Sequence, residues 1–304
     1  MHTAEAMLDS IHEYRPILQS DSSTYVLGTI GGHNIVIAYA PPLGLGEGSV
    51  TIAAKQLLAS FKHLRFVLLI GIAGGVPTGD NDIRLGDIVV SSPTVNSGGM
   101  DFYKANDIAG RTCVRYIGSL KKPPVVLTTA VCRLQSQSTT SNERLWQRLN
   151  APFCRIAYGR NPEVLTDRLF EAGYGHKALL KTCDRCDENK LKARPTRPFD
   201  GPVVHYGLIA SSDQAIQNGI MRDKLAQEMG IICFETEATG LMTHLPCLAI
   251  RGISDYADSH QNDAWQKYAS AAAAAYAMEL VATISLQQVA ETALIASAMA
   301  NSGE

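Results

Sequence analysis

The residues best placed to do chemistry lie in one stretch, Cys233 to Asp258, where apolar runs end in carboxylates. The run Gly230–Phe234 passes directly into Glu235, Thr236 and Glu237, and the small residues Ala238, Thr239 and Gly240 follow. Ligands of open α/β sheets sit at the carboxyl ends of strands, and these acids fall there. Acids in this place also serve as the N-cap and first turn of a helix. Two of them around Thr236, between a buried strand and a small-residue helix start, point to a ligand site. A second run, Leu248–Ile250, ends in Arg251, Ser254 and Asp255. A third, Gly207–Ala210, ends in Ser211, Ser212, Asp213 and Gln214. Three strands ending in polar clusters are the pattern of a binding cleft along one end of a sheet. Glu237 and Asp255 are its decisive carboxylates. Glycine segments add weaker signals. Gly44-Leu45-Gly46-Glu47-Gly48-Ser49 precedes a helix and offers backbone N–H groups to an anion. It matches neither a dinucleotide fingerprint nor a phosphate-binding P-loop. Gly71–Gly75, which includes Ala73 and Gly74, lets a flat ligand approach the backbone.

The elements that must position these groups alternate. Residues 1–13 read as a helix with Ala4, Met7, Leu8 and Ile11 on one face. Two strands, 25–30 and 34–40, flank Gly31-Gly32, a hairpin signal. A helix is expected at 49–61. Residues 65–71 form an apolar strand of the kind buried on both faces, and 87–92 another. Helices are expected near 123–136 and 142–149. Residues 150–200 show little periodicity and read as a long surface excursion. Strands at 203–209, 231–234 and 247–252 then alternate with helices at 213–228, 237–243 and 262–289. Such alternation predicts a three-layer α/β/α fold around a central mixed, twisted sheet. No linker divides the chain, so one domain is expected over 1–289, with a flexible tail at 290–304.

Bulk properties narrow the partner. The chain has 304 residues, 46% hydrophobic and 18% charged, enough for a sizeable core. With 27 basic against 29 acidic residues, nothing attracts nucleic acid or an anionic membrane nonspecifically. A small-molecule ligand fits better. The N-terminus lacks the pattern of a signal peptide, and no apolar run is long enough for a membrane span. The 7 cysteines, an odd number, agree with a reducing, cytoplasmic compartment. Cys183 and Cys186 form a C-x-x-C pair. A structural zinc would need a second pair of ligands nearby, and only His176 stands at loose spacing, so free thiols in a surface loop are expected and no metal or cofactor is assigned.

Together the ordered motifs resemble the nucleoside phosphorylase and nucleosidase superfamily. They are G-x-G-x-G-S at 44–49, I-G-I-A-G-G-V at 70–76, R-L-G-D-I-V-V-S at 84–91, G-L-I-A-S-S-D-Q at 207–214, F-E-T-E-A at 234–238, R-G-I-S-D-Y-A-D at 251–258 and W-x-x-Y-A at 265–269. The likeness runs from about residue 4 to residue 285. It is nearest the fungal branch, often fused to ankyrin or NTPase modules. The resemblance implies an N-glycosidic bond as target. It implies Glu237 as the ribose-hydroxyl carboxylate, with Glu235 and Thr236 beside it. Asp255 becomes the acid that protonates the departing purine, with Ser254 steadying it. Ala73, Gly74, Asp213, Gln214, Ala215 and Phe234 become base-binding or pocket-wall positions, and a homo-oligomer is implied.

The departures carry information. In hydrolases of this group the water-activating Glu follows the first strand, in a segment like A-L-P-x-E. Here residues 1–7 align with the helix after it, so neither that strand nor the base is found in this sequence. A phosphorylase would place Arg and Ser or Thr where Leu69 and Ile72 stand, which favours hydrolysis. Thr236 replaces a Met that packs under the ribose, and Ala215 falls near the aromatic that stacks on adenine. Three readings result: a nucleosidase acting on a purine nucleoside or nucleotide, a non-catalytic nucleoside-binding or regulatory protein, and a secondary-metabolism enzyme reusing the pocket. A dinucleotide enzyme fits poorly, because no acid follows the Gly44–Gly48 loop at the required distance.

Overall fold

A computed structural model of the chain describes residues 2–13, 23–39, 49–108, 111–151, 166–176, 182–199, 201–238, 245–261 and 263–300. Its centre is set by strands apolar on both faces. Ile88, Val89 and Val90 are all fully buried, and successive side chains of a strand point to opposite faces. Ile88 and Val90 pack into one core cluster with Leu248 and Ile250, while Val89 packs into another with Cys247 and Ala249. Two apolar faces require two covering layers.

Seven strands make this central sheet: β4 (Val67–Gly75), β5 (Ile88–Ser91), β6 (Met100–Ile108), β7 (Arg111–Ser119), β8 (Val204–Ser212), β9 (Ile231–Glu235) and β10 (Cys247–Asp255). Their order is β5-β10-β4-β9-β8-β6-β7, and β5 also pairs with β8, closing part of the sheet on itself. Pairings are mixed: β10 is parallel to β4 and antiparallel to β5, and β8 is parallel to β5, β6 and β9. Helices α3 (Val125–Ser136), α4 (Ser138–Asn150) and α6 (Gln266–Thr283) cover one face. On the other lie α2 (Ser49–Ser60), α5 (Gly219–Met229) and α8 (Ile295–Ala300), through Ala54, Leu225 and Ile295. The α/β architecture with a mixed sheet is therefore as the alternation of elements predicts. Among the described residues no single helix is long and apolar enough to cross a membrane. The alanine-rich α6 is a core helix, with Ala269 and Ala271–Ala273 fully buried.

A smaller sheet joins β1 (Ser10–His12), β2 (Thr24–Ile30) and β3 (His33–Tyr39). Gly31 and Gly32 have φ of 56° and 83°, the pair of positive values a two-residue hairpin turn demands. The helix expected over 1–13 is confined to α1 (His2–Glu5), because Ser10–His12 pairs with Leu27–Thr29 instead. Long-range pairing there overrides a weak local pattern.

Other expectations shift in bounds. β4 is not buried along its length: Val67–Ile72 are partly or largely exposed, Ile70 to 38%, and only the last three residues are buried. Beyond β10, its described partner β9 pairs with it only at Gly74 and Gly75. The β6–β7 hairpin stands where no strand is expected, its polar Lys104, Asn106 and Asp107 hiding the pattern. α5 starts late, at a cap where Asn218 Oδ1 accepts from Met221 N at 3.1 Å, and Gly230 ends it with φ 72°. The final long helix breaks after Thr283, and a Ser285–Gln288 capping box opens α7 (Leu286–Glu291). Order continues past residue 289: Ile295 is buried and its N–H donates to Leu64 O. Most of the helix expected at 237–243, and Gly44–Gly48, lie outside the described residues.

The described residues between 166 and 199 hold no long element but are not a loose excursion. Phe170, Cys183 and Cys186 form a small buried core of their own, so the thiols are not in an exposed loop. Arg194 forks onto Asp82 at 2.6 Å and Arg197 onto the buried Asp87 at 2.6 Å, pinning the segment to the turn before β5. Burial alone would raise Asp87, yet Arg197 and His205 hold it below the usual Asp range.

Candidate functional site

The geometry of the site follows from how β10 ends. It runs in register with β4 from Cys247 opposite Val67 to Ile253 opposite Ala73, and then slips so that Asp255 faces Gly74. Ser254 is the extra residue of this bulge. Bulges re-aim a side chain and end pairing; here the re-aimed side chain is Asp255. β9 touches β4 only at Phe234–Gly74 and Cys233–Gly75. Beyond that contact lies a cavity of about 170 Å³, lined by the ends of β4, β9 and β10 and the turn after β8.

Glycine permits this closeness at two points. A Cβ on Gly74 would lie 2.6 Å from Asp255 Oδ1 and 2.7 Å from Ala257 N. One on Gly71 would lie 1.9 Å from Arg251 Nη1 and 2.5 Å from Glu237 Oε2. Both are shorter than any carbon contact tolerates, so the two carboxylates reach their places because these side chains are missing.

The acids then differ in their partners. Glu235 is buried and fully engaged: its Oε2 accepts from Arg251 Nη2 at 2.9 Å, Glu237 N at 2.9 Å and Ala238 N at 3.1 Å. It acts as the cap for the chain leaving β9. Glu237 accepts from Arg251 Nη1 at 3.2 Å and keeps 40% of its side chain exposed. Burial raises its pKa, against the pull of Arg251. Arg251 itself is fully buried, so this cation orients both glutamates from below.

Asp255 sits in a tighter frame. Its Oδ1 accepts from Ala257 N at 2.8 Å and its Oδ2 from the Ser254 hydroxyl at 3.0 Å. Burial raises its pKa despite these two donors, and Asp258 and Asp263 add to the rise. A buried carboxyl raised in this way keeps its proton to higher pH than a free Asp and can pass it to a leaving group. Ala257 has φ 50°, a left-handed conformation rare outside glycine. Arg222, fully buried, donates from Nη1 to Tyr256 O at 2.8 Å, and Arg194 Nη1 donates to the Tyr256 hydroxyl at 2.6 Å. The loop bearing the acid is thus held from several sides.

Of the residues singled out in the sequence, Ala73, Gly74, Gln214, Ala215, Phe234, Glu235, Thr236, Glu237, Ser254 and Asp255 all line this one cavity. Asp213 does not. Ile72, Ile216, Ala257, Gln261, Asp263 and Gln266 line it too. The first three lie inside or beside the motifs. Gln261 and Asp263 belong to the turn into α6, where nothing in the sequence marks them, and Gln266 is the first residue of α6, at an unspecified position of W-x-x-Y-A. Side chains spaced to hold a metal ion lie elsewhere, at His176, Cys183 and Cys186.

Known proteins share this framework. The fold matches the 5′-methylthioadenosine/S-adenosylhomocysteine nucleosidase of Neisseria meningitidis in complex with methylthio-immucillin-A, with TM-score 0.52 at 15% identity over 93% of this chain and 96% of that one. It matches the futalosine hydrolase of Helicobacter pylori strain 26695 with TM-score 0.52 at 15% identity, over 92% and 91% of the chains. Among curated proteins, a nucleotide-binding leucine-rich repeat (NLR)-like protein of Hyaloscypha variabilis is 40% identical over 292 residues. That match takes in 93% of this chain but only 28% of the relative's length. The model of the phosphorylase superfamily aligns to residues 2–285, which takes in every motif around the cavity. The chain belongs to the phosphorylase superfamily.

Proposed function

We propose that this protein hydrolyses the N-glycosidic bond of a purine nucleoside or nucleotide. The observation that carries the reading is the pairing, in one cavity, of a half-exposed carboxylate with a buried one raised in pKa. Glu237, oriented by Arg251, accepts hydrogen bonds from the ribose hydroxyls. Asp255 donates its proton to N7 of the base. As the C1′–N9 bond breaks, its electron pair leaves with the base, and water adds to the oxocarbenium-like C1′ and releases a proton. The products are free base and free sugar. Leu69 and Ile72 leave that end of β4 apolar where a phosphorylase would hold phosphate, which supports water as the nucleophile. A homo-oligomer in the cytoplasm belongs to the same proposal, and light scattering on the purified chain tests the assembly.

The test is base release. The protein is incubated with adenosine, methylthioadenosine, inosine and ATP, with and without phosphate, and free base is separated by chromatography. Base release that does not depend on phosphate is expected. No base from any of them, beside measurable binding, would leave the second reading, a nucleoside-binding protein without turnover. One observation favours that alternative: Glu235 is spent on Arg251 and two backbone donors, so it is not available to activate water.

A further inference from the structure

The irregular chain around residues 176 and 183–186 meets the loop after β10 at four metal-binding side chains, none of which lines the cavity. Cys183 and Cys186 are buried, and each Sγ lies 3.7 Å from Nδ1 of His260, which is also buried. His176 joins them: one of its ligand atoms and the two sulfurs all lie within 4.8 Å of one another. His260 is 74 residues beyond Cys186 in the chain, so the fourth ligand has no signature in sequence.

The hydrogen bonds around the two imidazoles decide what they can offer. His260 Nε2 lies 2.9 Å from Tyr174 O, and a carbonyl only accepts, so Nε2 carries the proton. Nδ1 is then a bare lone pair facing two sulfurs. His176 Nε2 lies 3.1 Å from Thr182 O, which by the same logic leaves its Nδ1 free to ligate. A ring nitrogen donating to a backbone carbonyl while the other meets a metal is the usual arrangement of a ligating histidine. The fit in size is close. Zn–S near 2.3 Å and Zn–N near 2.0–2.1 Å in a tetrahedron place S and N about 3.6 Å apart, against the 3.7 Å found twice here. The set is held before any ion arrives: Phe170 stacks on His260 at 4.1 Å between centroids, and His176 N donates to Ser259 Oγ at 2.9 Å.

We propose that Cys183, Cys186, His260 and His176 form a structural zinc site that fastens residues 174–176 and 182–186 to the loop following β10. The ligand set is two thiolates and two neutral imidazoles, which selects zinc over harder cations. The ion would complete a closed four-ligand shell with no open position, so its role is to hold the chain rather than to react. What it holds is the loop carrying Asp255: His260 lies five residues beyond that acid, with Ala257 and Gln261 of the cavity wall beside it. The proposal stands apart from the proposed hydrolysis, because it rests on none of the cavity's acids.

The experiment uses the full chain, purified without chelator and passed through EDTA on a desalting column. Metal analysis by plasma mass spectrometry should give about one zinc per chain, and a mercurial titrant should release it as two thiols react. Cobalt exchanged for zinc should give the visible bands of tetrahedral cobalt with a sulfur-to-metal charge-transfer band. A Cys183→Ser/Cys186→Ser double variant should lose the zinc. If that variant does not fold, the cobalt spectrum of the wild-type protein decides alone. His260→Cys should retain the metal and shift the cobalt spectrum toward greater sulfur ligation. A protein that leaves the column without zinc and takes up no tetrahedral cobalt overturns the proposal. So does a mass lower by two hydrogens, which would mark a Cys183–Cys186 disulfide in their place.

Discussion

Replacing Asp255 by Asn separates chemistry from structure, because the frame around the carboxyl tolerates the amide. Asp255 Oδ1 accepts from Ala257 N at 2.8 Å, and an amide oxygen in that place accepts equally well. The Ser254 hydroxyl at 3.0 Å from Oδ2 can rotate to accept from an amide nitrogen instead. No heavy atom is added to a tight site, and the second amide N–H faces the cavity, so a stability change within about 1 kcal/mol is expected. The folded pKa of Asp255 is raised above its unfolded value, mainly by burial. An ionised Asp255 therefore works against folding at neutral pH, and that penalty is relieved as pH falls through the raised pKa. Asn carries no charge, so the variant should be as stable as the parent at pH 7 or slightly more so. Catalysis behaves in the opposite way. General acid assistance contributes typically 10²–10⁴-fold, so base release should fall by that factor, about 3–5 kcal/mol of barrier. The pH profile supplies a second reading. The parent should lose rate about tenfold per unit above the pKa of Asp255, and that limb should vanish in the variant. Initial rates of base release between pH 5 and 9, beside urea unfolding of both proteins, test the argument. A variant that keeps parental rates, or one whose loss of rate follows an equal loss of fold, would refute the assignment of Asp255 as acid.

Three further outcomes follow from the same geometry. Glu237→Gln should raise KM by about tenfold or more, since a charge-assisted hydrogen bond is worth about 1.5–3 kcal/mol, while the acid limb set by Asp255 stays in place; steady-state kinetics read both. Gly252→Ala should destabilise by about 1–3 kcal/mol from overpacking, because its Cβ would lie 1.9 Å from the backbone oxygen of Ala269 in α6, and urea unfolding measures it. Asp87→Asn should cost about 1.5–3 kcal/mol, as it takes the charge from the buried acid that Arg197 and His205 both contact. In the parent, Asp82 and Asp87 are both held below the usual Asp range. Their contribution is present above that range and is lost as pH falls through their folded values, so urea midpoints should drop on acidification in the parent and less steeply in Asp87→Asn.

How much of this was legible in the sequence depends on where the information lay. Strands β5, β9 and β10 stand near their expected places because burial on both faces writes a continuous apolar run, and β8, fully buried only from Ile209 on, is found through its apolar Leu208–Ala210. The carboxylates stand out for a related reason: a strand that ends in acids marks the sheet's carboxyl edge whatever the rest of the fold does. Glu235 could not be told from Glu237 by this route. Both follow the same strand, and only the placement of Arg251 divides them into a cap and an exposed ligand group. The β6–β7 hairpin escaped because Lys104, Asn106 and Asp107 interrupt any apolar alternation along β6. Asp263 escaped because the turn into α6 has no pattern of its own, and Gln266 because it stands at an unspecified position of W-x-x-Y-A. The bulge at Ser254 is invisible in sequence, since one extra residue in a strand leaves no compositional trace.

The segment from 166 to 199 gives the most instructive failure of pattern. It reads as irregular because it pairs with nothing periodic, yet it braces the acid loop through side chains. Arg194 reaches the Tyr256 hydroxyl, one residue past Asp255, and the same hydroxyl is hydrogen-bonded to Asp167. His176 meets Ser259, and the Cys183–Cys186 pair meets His260. Tyr256, Ser259 and His260 are thus all contacted from one segment whose described residues contribute nothing to the cavity wall. The loop needs these contacts, because Ala257 is held at a φ that an alanine avoids and strain of this kind persists only where surroundings over-determine it. Loosening the segment should therefore reach Asp255 without touching it. Arg194→Met keeps much of the side-chain length and apolar contact while removing the forked hydrogen bonds to Asp82 and Tyr256. If the bracing sets the acid's geometry, this variant loses kcat with KM and the Glu237 contacts preserved. If the segment is only a surface covering, kcat and the pH profile stay at parental values and the only change is in stability.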